Sequence, residues 1–280
     1  MTAIAMAHPY NGRTTKLPLH HYWRSATWFT AIAFGILTCC SSPAKYAEVV
    51  VGQLGLYFVI ASLSELYTHR LIDDKILRQR RLTQSRQEIV ISIEALLGVC
   101  GFSAAWSEFV DPVLCPTLDY FRHEPYTVTW CVFNIVVYLI ICDTWFFWWH
   151  YAFHKVGALW PMHQQHHQIR EPTAFGGPTV HVLELIAEYA ICHHLIVYIM
   201  PMHPIIHRAL GAFAFVFGAI LNHSGLGGLD YNDHYAHHIS WKGGRARYKN
   251  FALFFPWWDM LWGTHYNMVV ARDASRRPNK

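Results

Sequence analysis

Six apolar runs limit what this chain can fold into. They cover residues 26–40, 47–64, 89–106, 126–149, 179–200 and 205–221. A helix needs about 20 apolar residues to cross the hydrocarbon core of a bilayer. The run 126–149 is long enough to span with tilt, whereas 26–40 is short for a full crossing. Ser41-Ser42-Pro43 turns between the first two runs, and Pro201 and Pro204 divide the last pair into a helix–helix turn. Charged residues make up only 14% of the chain, against about 25% in a soluble domain. The expected fold is therefore all-α, an integral membrane helical bundle. The first 25 residues are polar, and no small-residue cleavage site follows the first run, so no cleaved signal peptide is expected.

Lys and Arg set the expected orientation. The 65–88 connection carries Arg70, Lys75, Arg78, Arg80, Arg81 and Arg86, and reads as cytosolic. The N-terminal tail, with Arg13, Lys16 and Arg24, reads as cytosolic too, which makes the first two runs an out-and-back hairpin. The third run then crosses outward, and 107–125 is luminal. The fourth returns and delivers His150 and His154 to the cytosolic face, where the last hairpin also ends. The basic stretch Lys242, Arg245, Arg247 and Lys249 falls on that side.

Three histidine clusters gather on that face. His150 and His154 form an HxxxH pair; His163, His166 and His167 form an HxxHH box; His234, His237 and His238 repeat the box. Neutral imidazole is the commonest protein ligand for transition metals. Residues at i, i+3 and i+4 share a helix face, so each box can aim its rings one way. Eight imidazoles are too many for one four-coordinate metal and suit two. His223, in Leu221-Asn222-His223-Ser224-Gly225, reads as a further ligand, and His181, opening His181-Val182-Leu183-Glu184, as a candidate.

The other histidines take plainer roles. His8, His20, His21, His69 and His123 lie in polar flanks; His193, His194, His203 and His207 are expected at interfaces or helix ends; His265, after a Gly-Thr turn, reads as structural. Most of the seven cysteines fall in apolar runs and read as buried thiols, with Cys115 in the expected luminal loop. No CxxC pair is present. No basic stripe is interleaved with stacking aromatics, which argues against a nucleic acid partner. Gly225-Leu226-Gly227-Gly228 follows an apolar helix and opens a histidine box, so it is not read as a nucleotide loop.

The order HxxxH, HxxHH, HxxE, Asn-His-Ser-Gly, HxxHH, then Trp257-Trp258-Asp259-Met260-Leu261-Trp262-Gly263-Thr264, resembles the fatty acid hydroxylase superfamily. That family includes sterol desaturases, sterol C-4 methyl oxidases and lipid hydroxylases, and the resemblance covers roughly residues 126–266. Asp143-Thr144-Trp145 and the Trp-Trp-Asp segment look most like the C-4 methyl oxidase branch. The resemblance divides the chain into a tail with membrane hairpins (1–125), a catalytic unit (126–266) and a polar C-terminal tail (267–280).

The resemblance implies a membrane oxidase with a cytosolic di-metal cap, holding two iron ions and using dioxygen as co-substrate. Carried over by position, the ligands are His150, His154, His163, His166, His167, His223, His234, His237 and His238. His181 stands at the family's HPxE histidine, with Val182 in place of proline. Asp233 stands where many members carry an extra histidine. Asp143, Glu184, Asn222, Asp230 and Asp233 are candidates to orient the imidazoles, and Phe146, Phe147, Trp148, Trp149 and Phe153 to line a lateral lipid entry. The implied location is the endoplasmic reticulum membrane, multi-pass, with both termini cytosolic. Electrons from NAD(P)H would arrive through a separate donor, a b-type cytochrome or its reductase. The substrate is expected to be a sterol or another lipid. Hydroxylation or methyl oxidation is the first reading and desaturation the alternative; a non-catalytic metal- or lipid-binding membrane protein is the reading from another class.

Overall fold

The computed structural model describes residues 43–111, 125–167, 169, 171–226, 234–239 and 250–266. The run 26–40, the Ser41-Ser42 turn, Cys39, Cys40, Cys115, His8, His20, His21, His123, Asp230, Asp233, most of 107–125 and the basic stretch 242–249 lie outside the described residues.

The described residues are helical and form no strand. Among the described residues five helices are long and apolar enough to cross a membrane: α1 (Pro43–Leu71), α2 (Lys75–Val110), α3 (Val128–Lys155), α5 (Val182–Ile199) and α6 (Pro204–His223). Three short helices complete the set: α4 (Trp160–His167), α7 (His234–Ile239) and α8 (Trp257–Trp262).

Burial follows a membrane pattern. On α3 the apolar side chains of Val128, Val132, Val136 and Ile140 face outward, four residues apart on one stripe. The same helix buries Asn134, Tyr138, Asp143 and His150. The polar groups are turned inward and the aliphatic ones toward lipid, as hydrocarbon surroundings require.

The basic connection expected over 65–88 is much shorter. α1 continues to Leu71 and α2 begins at Lys75. Asp74 caps α2, its carboxylate accepting the amides of Ile76 at 2.7 Å and Leu77 at 3.2 Å. The Lys, Arg and Gln residues that follow are good helix formers. Arg81 is not a surface charge: it is buried against Glu65, with Nε to Oε1 at 2.7 Å and Nη2 to Oε2 at 3.0 Å.

Two apolar cores flank the centre of the bundle. One joins α1 and α2 to α5 and α6 through Tyr57, Leu96, Leu185 and Phe215. The other joins α3 to α5 and α6 through Tyr138, Ile196 and Leu210, and includes Leu253 and Phe254. His203 caps α6, accepting the Ile205 amide at 3.2 Å. His193 and His194 lie inside α5, at its interfaces with α3, α6 and α2. The Tyr138 hydroxyl is 2.9 Å from His193 Nδ1, His207 Nε2 donates to the His193 carbonyl at 2.7 Å, and His194 stacks on Trp106. Aromatic and imidazole partners there replace the water that a helix end would offer. His265 closes the turn after α8, donating its amide to the Asp259 carbonyl at 3.0 Å. Among the described residues Cys100, Cys142 and Cys192 are buried free thiols.

Candidate metal centre

α4 packs on α3, and α7 packs on the last turn of α6. This arrangement brings nine histidines into two groups. The first holds His150 and His154 from α3, His163 and His167 from α4, and His237 from α7. The second holds His166 from α4, His223 from α6, and His234 and His238 from α7. Within each group the ligand atoms lie within 4.8 Å of one another. Each box divides between the groups rather than pointing one way. His163 and His167, four apart, face the first group and His166 the second; His234 and His238, four apart, face the second and His237 the first. Residues four apart are nearly eclipsed on a helix, whereas the third is rotated off that line.

The nitrogen spacings do not fit hydrogen bonding. His154 Nε2 has three Nε2 neighbours: His163 at 2.8 Å, His167 at 3.1 Å and His237 at 3.1 Å. His167 Nε2 is also 2.9 Å from His163 Nε2 and 3.0 Å from His237 Nε2. A neutral imidazole nitrogen carries either one proton or one in-plane lone pair, so a single Nε2 cannot bond three others. Lone pairs converging on a cation explain the crowding. With metal–nitrogen bonds of about 2.1 Å, ligands at right angles are about 3.0 Å apart. In the second group His223 Nε2 lies 3.2 Å from His166 Nε2.

The outer ring nitrogens fix the tautomers. His163 Nδ1 donates to Glu184 Oε1 at 2.6 Å, His150 Nδ1 to the Phe251 carbonyl at 2.9 Å, His223 Nδ1 to the Ala219 carbonyl at 2.6 Å, and His238 Nδ1 to the Ile169 carbonyl at 3.3 Å. Each proton on Nδ1 leaves a lone pair on Nε2, the form a metal needs. His150 Nε2 and His238 Nε2 are buried and have no hydrogen-bond partner among the described residues, which a bound cation would remedy. Burial lowers His163 and His234 to about 3, and burial and then neighbouring imidazoles lower His166, His167 and His238. The donor set is thus neutral at physiological pH and suits imidazole-ligated transition metals.

Of the residues expected to orient the ligands, Glu184 does so directly. Asp143 acts one step removed: its Oδ1 accepts the amides of Leu253, Phe254 and Phe255 at 3.1, 2.7 and 3.2 Å. Asn222 donates to the Leu253 carbonyl at 2.9 Å. Asp259 accepts the Phe251 and Ala252 amides at 2.8 and 2.9 Å, so it fixes the strand of chain whose Phe251 carbonyl holds His150. His181 lies outside both groups; its Nδ1 accepts the Leu183 amide at 3.2 Å and caps α5.

Sequence reasoning missed a third layer of support. Arg81 Nη2 donates to the Ser224 carbonyl at 3.0 Å, next to His223. Glu65 Oε2 accepts the Ala174 amide at 3.2 Å, and Glu88 accepts the Thr173 amide at 3.0 Å and the Thr173 hydroxyl. Tyr57 and Ser92 hydroxyls both donate to the Phe175 carbonyl at 2.9 Å. The irregular segment they hold leads to Thr179, whose hydroxyl donates to the Gly176 carbonyl and lies 3.5 Å from His166 Nδ1. Acidic residues inside apolar helices were the available signal, since a carboxylate in a span is costly unless it has a task.

A cavity adjoins both groups. Its walls include His150, His163, His166, His223 and His234 at one end, with Phe146, Val180, Leu185, Phe215 and Leu253 beyond. Of the five aromatics expected at a lipid entry, Phe146 lines this cavity. Phe147 and Phe153 are core side chains, Phe153 stacked on His163, and Trp148 is exposed.

Fold and site define a helical membrane-type protein with a buried double imidazole centre able to hold metal. Residues 135–264, just under half of the chain, match the family described as Fatty acid hydroxylase, the family that the motif order resembles. The matched segment carries all nine histidines of the two groups, and the match points toward a membrane lipid oxidase. No curated protein and no solved structure matches the chain.

Proposed function

We propose that this protein is a di-iron, oxygen-dependent oxidase that attacks a C–H bond of a lipid, with sterol-type hydroxylation or methyl oxidation as its reaction. One observation carries the reading: two convergent all-imidazole groups open onto an apolar cavity inside membrane-type helices. His150, His154, His163, His167 and His237 would hold one iron, and His166, His223, His234 and His238 the other. Iron in such a site supplies the redox chemistry with dioxygen that breaks an unactivated C–H bond. The balance is R–H plus O2, two electrons and two protons giving R–OH plus water.

The chain's own residues prepare that chemistry. Backbone carbonyls and Glu184 hold the Nδ1 protons, keeping the imidazoles in ligand form. Burial excludes bulk water from the nitrogens. The apolar walls accept a hydrocarbon skeleton entering sideways from the bilayer. We read His181 as a helix cap rather than a ligand, and 126–266 as the catalytic unit, braced by α1 and α2.

Electrons are assigned to NAD(P)H through a separate b-type cytochrome or its reductase. Arg70, Lys75, Arg78, Arg80 and Arg86 gather around the α1–α2 connection and offer an acidic donor a basic landing area. We place that face, the histidine boxes and both termini in the cytosol, and the protein in the endoplasmic reticulum membrane.

The test is lipid mass spectrometry on cells with and without the chain, paired with oxygen-dependent turnover by the purified protein. The expected result is an oxidised lipid that accumulates only with wild type and vanishes in His166→Ala and His237→Ala, with membrane insertion retained. Unchanged turnover in either variant contradicts the site.

A further inference from the structure

Glu188 is a buried carboxyl group that the metal chemistry does not use. It sits in the π-helical turn Ile186–Ala190 of α5, one turn deeper than Glu184, and lines the cavity beside the histidines. Such turns insert a residue into the helix and re-aim its side chains, often at functional positions. Glu188 is 7% exposed, yet it forms no hydrogen bond to any described residue, and its Oε1 is fully enclosed. Glu184 Oε1 takes the His163 proton at 2.6 Å, while its Oε2 is likewise buried with no partner among the described residues, and the Tyr189 hydroxyl donates to the Gly211 carbonyl. The far walls, Ala214, Phe215 and Leu253, are apolar. A buried carboxyl without a partner is costly, and in a membrane helix it marks a functional position.

Glu188, Glu184 and His163 place ligand atoms within 4.8 Å of one another. This is not a third metal site of the same quality, because His163 Nδ1 is spent on Glu184. It does fix where Glu188 stands: just behind one imidazole of the first group, in the same cavity.

We propose that Glu188 is the polar anchor of the substrate pocket, accepting a hydrogen bond from a hydroxyl group of the lipid. This rests on the lipid oxidase reading and names its substrate class: a hydroxyl-bearing lipid oxidised at a carbon a few bonds from that hydroxyl. The short separation between Glu188 and the histidines sets this closeness. The apolar walls take the rest of the skeleton.

The test uses metal-loaded, full-length protein in phosphatidylcholine vesicles doped with two matched pairs, cholesterol with its methyl ether and octadecanol with its methyl ether. The ethers keep an acceptor and lose the donor. Bound lipid is extracted from the re-isolated protein and quantified by mass spectrometry. Wild type is expected to enrich the alcohol over the ether about tenfold in at least one pair, the scale of one hydrogen bond. Glu188→Ala loses the enrichment while keeping its metal content, and Glu188→Gln, which still offers an oxygen, keeps part of it. Equal binding of alcohol and ether by wild type, or an enrichment that Glu188→Ala leaves unchanged, overturns the anchor. Oxidised product with no alcohol preference sinks the anchor and spares the oxidase. Alcohol preference lost in Glu188→Ala, with no oxidised product from any lipid, sinks the oxidase and leaves a hydroxyl-binding pocket.

Discussion

His163 Nδ1 donates to Glu184 Oε1 across 2.6 Å, joining a histidine of α4 to the first turn of α5. The contact aims His163 Nε2 at the first imidazole group and raises its basicity as a ligand. Replacing Glu184 by Gln keeps an acceptor and removes the charge. Metal affinity of the first group should fall about 10- to 100-fold, measured by competition with a graded chelator. Unchanged affinity would show that the carboxylate does not act through His163.

Arg81 is expected to govern the second group from outside the matched family segment. It bonds Glu65 and the Ser224 carbonyl at once. Arg81→Ala strands Glu65 and should cost about 3–5 kcal/mol of stability, read as a lower midpoint in thermal unfolding. The double variant Glu65→Leu with Arg81→Met removes both charges and should recover much of that loss. Both variants release Ser224, so both should hold metal more weakly in the group that contains His223.

Gly177 tests the close approach of the irregular segment to α6. A Cβ built there would lie 1.9 Å from the Ala219 carbonyl oxygen, the same carbonyl that holds His223 Nδ1. Both are main chain, so neither can rotate away. Gly177→Ala should destabilise by about 1–3 kcal/mol, the usual scale of overpacking, and weaken metal binding beside His223. A variant with wild-type unfolding and metal content would refute this contact.

Acid should empty the centre. The ordinary imidazole pKa is 6.5, and burial holds His163 and His234 at about 3. Between these values the unfolded chain binds protons that the folded chain refuses, so stability falls as pH drops through that window and is fully present above 6.5. Protons also compete with metal for the same lone pairs. Metal-free protein titrated from pH 7.5 to 4.5 should therefore lose thermal stability, and loaded protein should release its metal over the same range. Stability that rises on acidification would contradict the neutral donor set.

The legible part of this structure was the part that repeats. The apolar runs marked where the described helices lie, although α1 and α2 extend well beyond them into the stretch expected as a connection, and the HxxxH and HxxHH spacings marked eight of the nine histidines, with His223 read separately at the end of its apolar run. The division of each box between two groups was not visible, because it depends on the 100° step between neighbouring residues and on what packs against each face. Arg81 looked like a cytosolic charge by composition, but Glu65 on the partner helix draws it inside. The roles of Glu88, Thr179 and Glu188 come from contacts across long sequence separations, and spacing along one helix carries no trace of them. Asp143 has the chemistry of an imidazole partner, but its carboxylate accepts the three amides of the 253–255 segment instead.

Two separate imidazole groups call for two metal ions per chain. Purified protein reconstituted with ferrous iron under anaerobic conditions, then analysed for iron and protein, measures that number directly. Wild type should hold two irons per chain, and His223→Ala, which touches only the second group, about one. A wild type that saturates at one iron, or a His223→Ala variant that still holds two, would contradict the account.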